Sequence, residues 1–237
     1  MIQTHEDALC VLFGNKQYEL SKKDIKDARY AQVLQNIVTN MSLRSLVILN
    51  QQHSAEGFCV DEHFLQKQYS LYEQQGDFLI TNMKQCGLVI LTADCLPIVL
   101  YDKKRFVAGV VHAGWKGAYN GVVLSAIKAM QERYHSDIND IDVLYGAGAK
   151  NCCYEVREDF YNHFERYRYA QKAFVKRDNK LYFDNKQFIT SQLLSIGIKF
   201  ENIYDKQTKC TICSLEYCSY RREKDRAGRQ TTVVSLL

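Results

Sequence analysis

Three phrases hold the residues best suited to chemistry in this 237-residue chain: NQQHSAEG around His53, LTADCLP around Cys95 and VVHAGWKG around His112. Each sets an imidazole or thiol where an apolar run gives way to small and polar residues, the point at which a rigid strand hands a side chain to a loop. Two imidazoles and a thiolate form a donor set for zinc. Three protein ligands leave a fourth position open to water or substrate, the catalytic pattern rather than the structural one. The same donors suit a mononuclear copper centre. The separations, 42 residues from His53 to Cys95 and 17 from Cys95 to His112, are not a local metal signature. A cysteine in an apolar run is also ordinary core packing, so on the residues alone both readings stand.

A second cysteine-rich phrase, KCTICSLEYC, sets Cys210 and Cys213 in a CxxC with Cys218 five residues further on. Three thiols without a fourth ligand at suitable spacing read as no second metal site. His5, His63, His135 and His163 lack any motif and read as surface or helix-face residues.

These groups must be held by alternating strands and helices. SLVILN, DFLIT, LVILT, Ile98 to Tyr101, Phe106 to Val111, IDVLY and TTVVSLL read as strands, with a charged turn at Asp102 to Arg105. Ser21 is the expected cap of a helix presenting Tyr30, Val33, Leu34, Ile37 and Met41 on one face. Asn120 is the expected cap of another carrying Val123, Ile127, Met130 and Tyr134. A further helix is expected to carry Val156, Phe160 and Phe164. Asp184 with Gln187 reads as a capping box for one ending at Gly197. Gly114 and Gly117 permit a tight turn after His112, whose amides and following helix N-terminus suit an anion. Pro97, the one proline, cannot donate to a strand ladder and stiffens the backbone just after Cys95. Strands and helices mixed without strict alternation predict an α+β fold.

With 12 glycines, one proline and no low-complexity linker, the chain reads as a single domain over 1–237. A net charge of +4 with 24% charged residues gives no argument for nucleic acid or a membrane surface as partner. MIQTHEDALC has neither the basic nor the apolar region of an export signal, and the longest apolar run is broken by Asp94. Nine cysteines without such a signal predict reduced thiols in a cytoplasm. Nothing in the sequence chooses between a monomer and a homodimer.

TADCLPIVLYD, VVHAGWKG, NCCYEV and CSYRREKDRAGR resemble, in order, the successive motifs of the YfiH/YlmD family. That family is also called the laccase-domain or polyphenol-oxidase family and includes the FAMIN type of purine nucleoside enzyme. The resemblance spans roughly residues 50 to 237. It implies layered mixed β-sheets flanked by helices, an α-β-β-α sandwich. It implies metal ligands at His53, Cys95 and His112, and a zinc-dependent purine nucleoside phosphorylase acting on adenosine, inosine, guanosine and methylthioadenosine, with adenosine deamination as a second activity. Purine nucleosides and phosphate are then the partners. Arg222 matches the more constant arginine of the final motif. Its planar guanidinium suits bidentate phosphate binding, whereas Arg221, Arg226 and Arg229 read as a solvated basic turn. Other readings stay open: copper-dependent phenol oxidation, a cysteine hydrolase with Cys95 activated by His112 that edits peptidoglycan precursors, and a non-catalytic zinc module. The chain departs from the family pattern at YGAGAKNCCYEV, which lacks the usual prolines, and at FGNKQYELSKKD, which lacks an arginine- and glycine-rich stretch. Cys152 and Cys153 are expected to line or buttress the cleft.

Overall fold

Strands Cys86–Thr92 (β7), Leu96–Asp102 (β8) and Val107–Ala113 (β9) are buried at every residue. That is why they read as continuous apolar runs and not as the alternation of a half-exposed sheet. They form the middle of two stacked sheets in the computed structural model, which describes residues 2–5, 8–20 and 27–237. The first sheet runs Ile2–His5 (β1), Leu9–Phe13 (β2), Arg229–Leu236 (β15), β7, Ser45–Ile48 (β4), with Glu19–Leu20 (β3) pairing on β15. The second runs Ile203–Tyr204 (β14), Ile141–Tyr145 (β10), β8, β9, Phe78–Thr81 (β6), Gly57–Cys59 (β5). A small third sheet joins Glu155–Val156 (β11), Lys180–Phe183 (β13) and Phe174–Arg177 (β12).

The period of two divides each central strand between two cores. Leu88 and Ile90 of β7 meet Val99 and Tyr101 of β8 and Ala108 and Val110 of β9 between the sheets. Val89 and Leu91 point the other way, onto Tyr30, Val33 and Ile37 of helix Ala28–Asn40 (α1). Ile98 and Leu100 face Val123, Ile127 and Met130 of Val122–Tyr134 (α4) and Phe188, Ile189 and Leu193 of Asn185–Ser195 (α5). The result is the α-β-β-α order of layers. Short helices Glu62–Gln66 (α2), Trp115–Tyr119 (α3) and Tyr220–Glu223 (α6) sit in the connections. No described helix is long and apolar enough to cross a membrane.

Several local expectations change. Ser21 lies outside the described residues, and Asp27 caps α1 by accepting from the Arg29 amide. Asn120 is not the cap of α4; it closes α3, and Gly121 starts α4 at φ +80, a conformation glycine adopts freely. Val156 lies in β11, and Glu158–Phe164 is a 3₁₀ segment, not an α-helix. Its Phe160 and Phe164 pack among Trp115, Phe174, Phe183 and Phe188, so aromatic burial shapes the backbone there more than helix propensity does. Asp184 caps α5 as expected by accepting from the Gln187 amide, but the Gln187 side chain turns to Ser191.

Candidate metal centre

The three sequence-predicted ligands come from three different connections and meet at one point. His53 follows β4 in a loop, Cys95 lies in the link that carries β7 of the first sheet into β8 of the second, and His112 is the penultimate residue of β9. Their ligand atoms all lie within 4.8 Å of one another. Cys95 Sγ stands 3.7 Å from His53 Nε2, and the two imidazole rings are 4.8 Å apart, edge to face. Zinc–sulfur and zinc–nitrogen bonds of roughly 2.3 and 2.0–2.1 Å place tetrahedral donors a little under 4 Å apart, so this donor set fits one ion with minor adjustment.

The backbone is bent to achieve this. His53 and Asp94 both adopt left-handed φ values, +59 and +81. Such conformations cost energy in non-glycine residues and persist where surroundings enforce them. Asp94 is held by the Thr211 hydroxyl at 2.7 Å and the Arg221 amide at 2.6 Å, while its carbonyl accepts from the Ala149 amide. The Gln51 side chain both donates to and accepts from the backbone of Leu91, which ties the His53 loop to the end of β7. Pro97 pairs with His112 in register. Its carbonyl accepts from the Gly146 amide just beyond the end of β10, so the missing N–H falls at the end of the β8–β10 ladder and not within it.

Asp77 organises the centre from beneath. Fully buried, it accepts from the amides of Gln52, His53 and Ser54, from the Ser54 hydroxyl and from His112 Nδ1 at 2.7 Å. Nδ1–H donation fixes the His112 tautomer and leaves the Nε2 lone pair for a metal. Burial would raise the Asp77 carboxyl, but the bonds from His112 and Ser54 outweigh it and hold the group down at about 2. Burial likewise opposes the Cys95 thiolate. The charge and hydrogen bond of His112, with help from His53, prevail and bring Cys95 down to about 6. His112, opposed by its own burial, is pulled up to about 9 by Cys95 and Asp77. With no metal, these opposed shifts favour a thiolate facing an imidazolium.

The centre forms one wall of a cavity of about 990 Å³. Arg222, expected at the phosphate, does not line it. Its guanidinium donates to the carbonyls of Thr211, Ile212, Ser214 and Tyr217 and pairs with Glu223, so it stitches the 211–217 loop to α6. The residues read as a solvated basic turn line the cavity instead: Arg221, Arg226 and Arg229, with Lys116 and Lys224. Arg221 lies over the Tyr154 ring and donates to the Glu155 carbonyl. Trp115 lines the same space while packing edge-on against Phe160.

Two residues at the site escaped the sequence. Asp77 looked like the polar start of a strand. Asn185 looked like one more turn-one residue of α5, yet it lines the cavity and is 95% buried. Its Nδ2 donates to the Ala113 carbonyl at 2.8 Å, which sets the amide's orientation, and its Oδ1 has no partner. Gly114 makes the expected turn between β9 and α3, whereas Gly117 lies within α3. Gly114 is extended, not left-handed, and a Cβ there would lie 2.6 Å from His53 Cδ2 and 3.0 Å from Cys95 Sγ. It is small because the ligands pass so close.

Residues 18–237 match the family described as multi-copper polyphenol oxidoreductase laccase. A purine nucleoside phosphorylase of Aquifex aeolicus is 40% identical over 162 residues, 68% of this chain and 72% of that protein. One from Borreliella burgdorferi is 31% identical over 223 residues, 92% and 89%. A protein of an unknown prokaryotic organism named adenosine deaminase RL5 is 27% identical over 217 residues, 88% and 80%. YlmD of Geobacillus stearothermophilus shares the fold with a TM-score of 0.80 at 22% identity, covering 97% of this chain and 91% of that one. The chain belongs to this laccase-like family of YfiH and YlmD, whose curated relatives include proteins named purine nucleoside phosphorylase.

Proposed function

We propose that the protein is a zinc-dependent purine nucleoside phosphorylase, with adenosine deamination as a second activity of the same site. The observation that carries this reading is the meeting of His53, Cys95 and His112 at the wall of a cavity bordered by five cationic side chains. Relatives named for both activities support it. Bound zinc would supply Lewis acidity at an open fourth position, lowering the pKa of water or polarising a substrate oxygen.

The chain's own residues do the rest. Arg221, Arg226 and Lys116 give phosphate a cationic bed within the cavity. In phosphorolysis a phosphate oxygen bonds to C1′ of the ribose as the C1′–N9 bond breaks. The base leaves with that electron pair and takes up a proton, giving free purine and ribose 1-phosphate. Trp115 and Tyr154, which line the cavity, offer aromatic surface to the purine. The orphan Oδ1 of Asn185 accepts from a hydroxyl or N–H of the nucleoside, since an unpartnered buried acceptor costs about 1–3 kcal/mol until one arrives.

Inosine with and without phosphate tests the reading on zinc-loaded protein. Hypoxanthine release that requires phosphate is the expected result. Absence of turnover on inosine, adenosine and methylthioadenosine by protein of verified zinc content would sink it. Stoichiometric copper together with phenol oxidation would favour the laccase-type reading. One observation favours a cysteine hydrolase: the Cys95–His112 pair resembles an activated nucleophile and its base. Covalent trapping of Cys95 in the zinc-loaded enzyme by substrate analogues would support that alternative.

A further inference from the structure

KCTICSLEYC supplies two thiols, Cys210 and Cys213, to a group of four, and the other two come from elsewhere in the chain. The sulfurs of Cys152, Cys153, Cys210 and Cys213 all lie within 4.8 Å of one another. We propose that these four cysteines form a second, closed metal site that binds one zinc ion as a tetrathiolate and fastens the loops beneath the Cys95 centre. No part of this proposal depends on the phosphorylase reading.

Two tight turns build the site. Residues 150–153 fold back through the amides of Cys153 and Tyr154, both donating to the Lys150 carbonyl. Residues 210–214 close through the Ser214 amide to the Cys210 carbonyl. The turns are clamped together by the bridge of Gly148 to Cys210, with Gly148 donating to Lys209 and Thr211 donating to Gly148.

Four sulfurs and no vacant donor position define a structural site rather than a catalytic one. A tetrahedral ion with zinc–sulfur bonds of roughly 2.3 Å sets its sulfurs a little under 4 Å apart, so a cluster whose sulfurs lie within 4.8 Å of one another needs to contract by no more than about an ångström. An iron–sulfur cube holds its cysteines farther apart than a single ion does, which favours zinc over a cluster. Cys218, the third thiol of the phrase, is buried outside the group.

The position gives the ion a purpose. Thr211, next to Cys210, donates to Asp94, which precedes Cys95. Arg222 grips the carbonyls of Thr211, Ile212 and Ser214 in the same turn. Tyr154, next to Cys153, lines the cavity. An ion joining the two turns therefore braces the left-handed Asp94 that aims Cys95.

The test is elemental analysis of the full chain purified under reducing conditions from zinc-supplemented cells, beside Cys95→Ala and Cys213→Ser. The proposal expects two zinc ions per chain in the unsubstituted protein and one in each variant. Cys95→Ala protein reconstituted with Co²⁺ should show the intense sulfur-to-cobalt charge-transfer and tetrahedral d–d bands of four thiolates. This readout needs no substitution in the cluster and so survives a failure of Cys213→Ser to fold. Cys95→Ala protein without metal and without that cobalt spectrum would overturn the proposal. So would iron with acid-labile sulfide, or intact-mass evidence that the four cysteines are paired as disulfides in the reduced preparation.

Discussion

Asp77 Oδ1 stands 2.7 Å from His112 Nδ1 and also accepts the amide of His53 at 3.0 Å, so one buried carboxylate positions both imidazole-bearing residues of the candidate centre. Replacing it with the isosteric amide keeps the volume but removes the charge and lets the side chain present N–H to groups that are themselves donors. For Asp77→Asn, metal affinity should fall by about 10–100-fold, the usual effect of losing the partner that orients a ligating histidine. Competition against a chromophoric chelator measures this directly. Unchanged affinity would mean that His112 is oriented by packing alone.

The contrast between Asp77 and the ligands shows what the sequence makes legible. Cys95 and His112 are visible because each interrupts or ends a run whose burial on both faces leaves few polar positions, and His53 because it follows the shorter apolar run of β4. The runs give the mixed α+β class, whereas the order of the layers follows only from the family resemblance. Asp77 is invisible because an aspartate before FLIT resembles any strand start. Its role exists only after residues 52–54 fold over it from the neighbouring connection. Cys152 and Cys153 are hidden as partners of Cys210 for the same reason, since a bridge far along the chain brings them together. Arg221 and Arg222 differ otherwise: both are in plain view. Successive helical residues point about 100° apart, and only the docking of α6 decides which one faces the cavity.

That choice separates two effects cleanly. Arg221→Ala removes a cation from the cavity while Arg222 keeps its carbonyl contacts. The KM for phosphate should rise about tenfold or more, because a hydrogen bond to a charged group contributes about 1.5–3 kcal/mol, with melting temperature little changed. Arg222→Ala should behave in the opposite way. It orphans carbonyls of the 211–217 loop at a cost of about 1–3 kcal/mol, seen in denaturant unfolding. Equal phosphate KM effects from both variants would contradict the assignment.

In metal-free protein the Cys95 thiol is depressed to about 6 from its ordinary 9.0. A depressed acid keeps its thiolate at lower pH. Iodoacetamide labelling of Cys95 in chelator-stripped protein should therefore hold its rate from neutral pH down to about 6 and fall only below that. An ordinary thiol loses rate already below 9.0. His112 is raised to about 9, so the stabilising ion pair persists up to that pH and is lost above it. Zinc should abolish the labelling throughout. A labelling midpoint near the ordinary thiol value would show that His112 does not hold a proton opposite Cys95.

Gly114 offers the sharpest steric test. Its backbone, φ −70 and ψ 167, is one that alanine adopts without strain, so substitution should not disturb the entry to α3. The added methyl would lie 2.6 Å from His53 Cδ2 and 3.0 Å from Cys95 Sγ. Something must move, and His53 is the exposed, loop-borne partner, whereas Cys95 is pinned between Asp94 and β8. Gly114→Ala should thus displace His53, lower metal affinity at this centre and leave the melting temperature of the metal-free protein within a few degrees of the original. Metal analysis paired with thermal unfolding of both forms distinguishes this from a general loss of packing, which would lower the metal-free melting temperature as much as the loaded one.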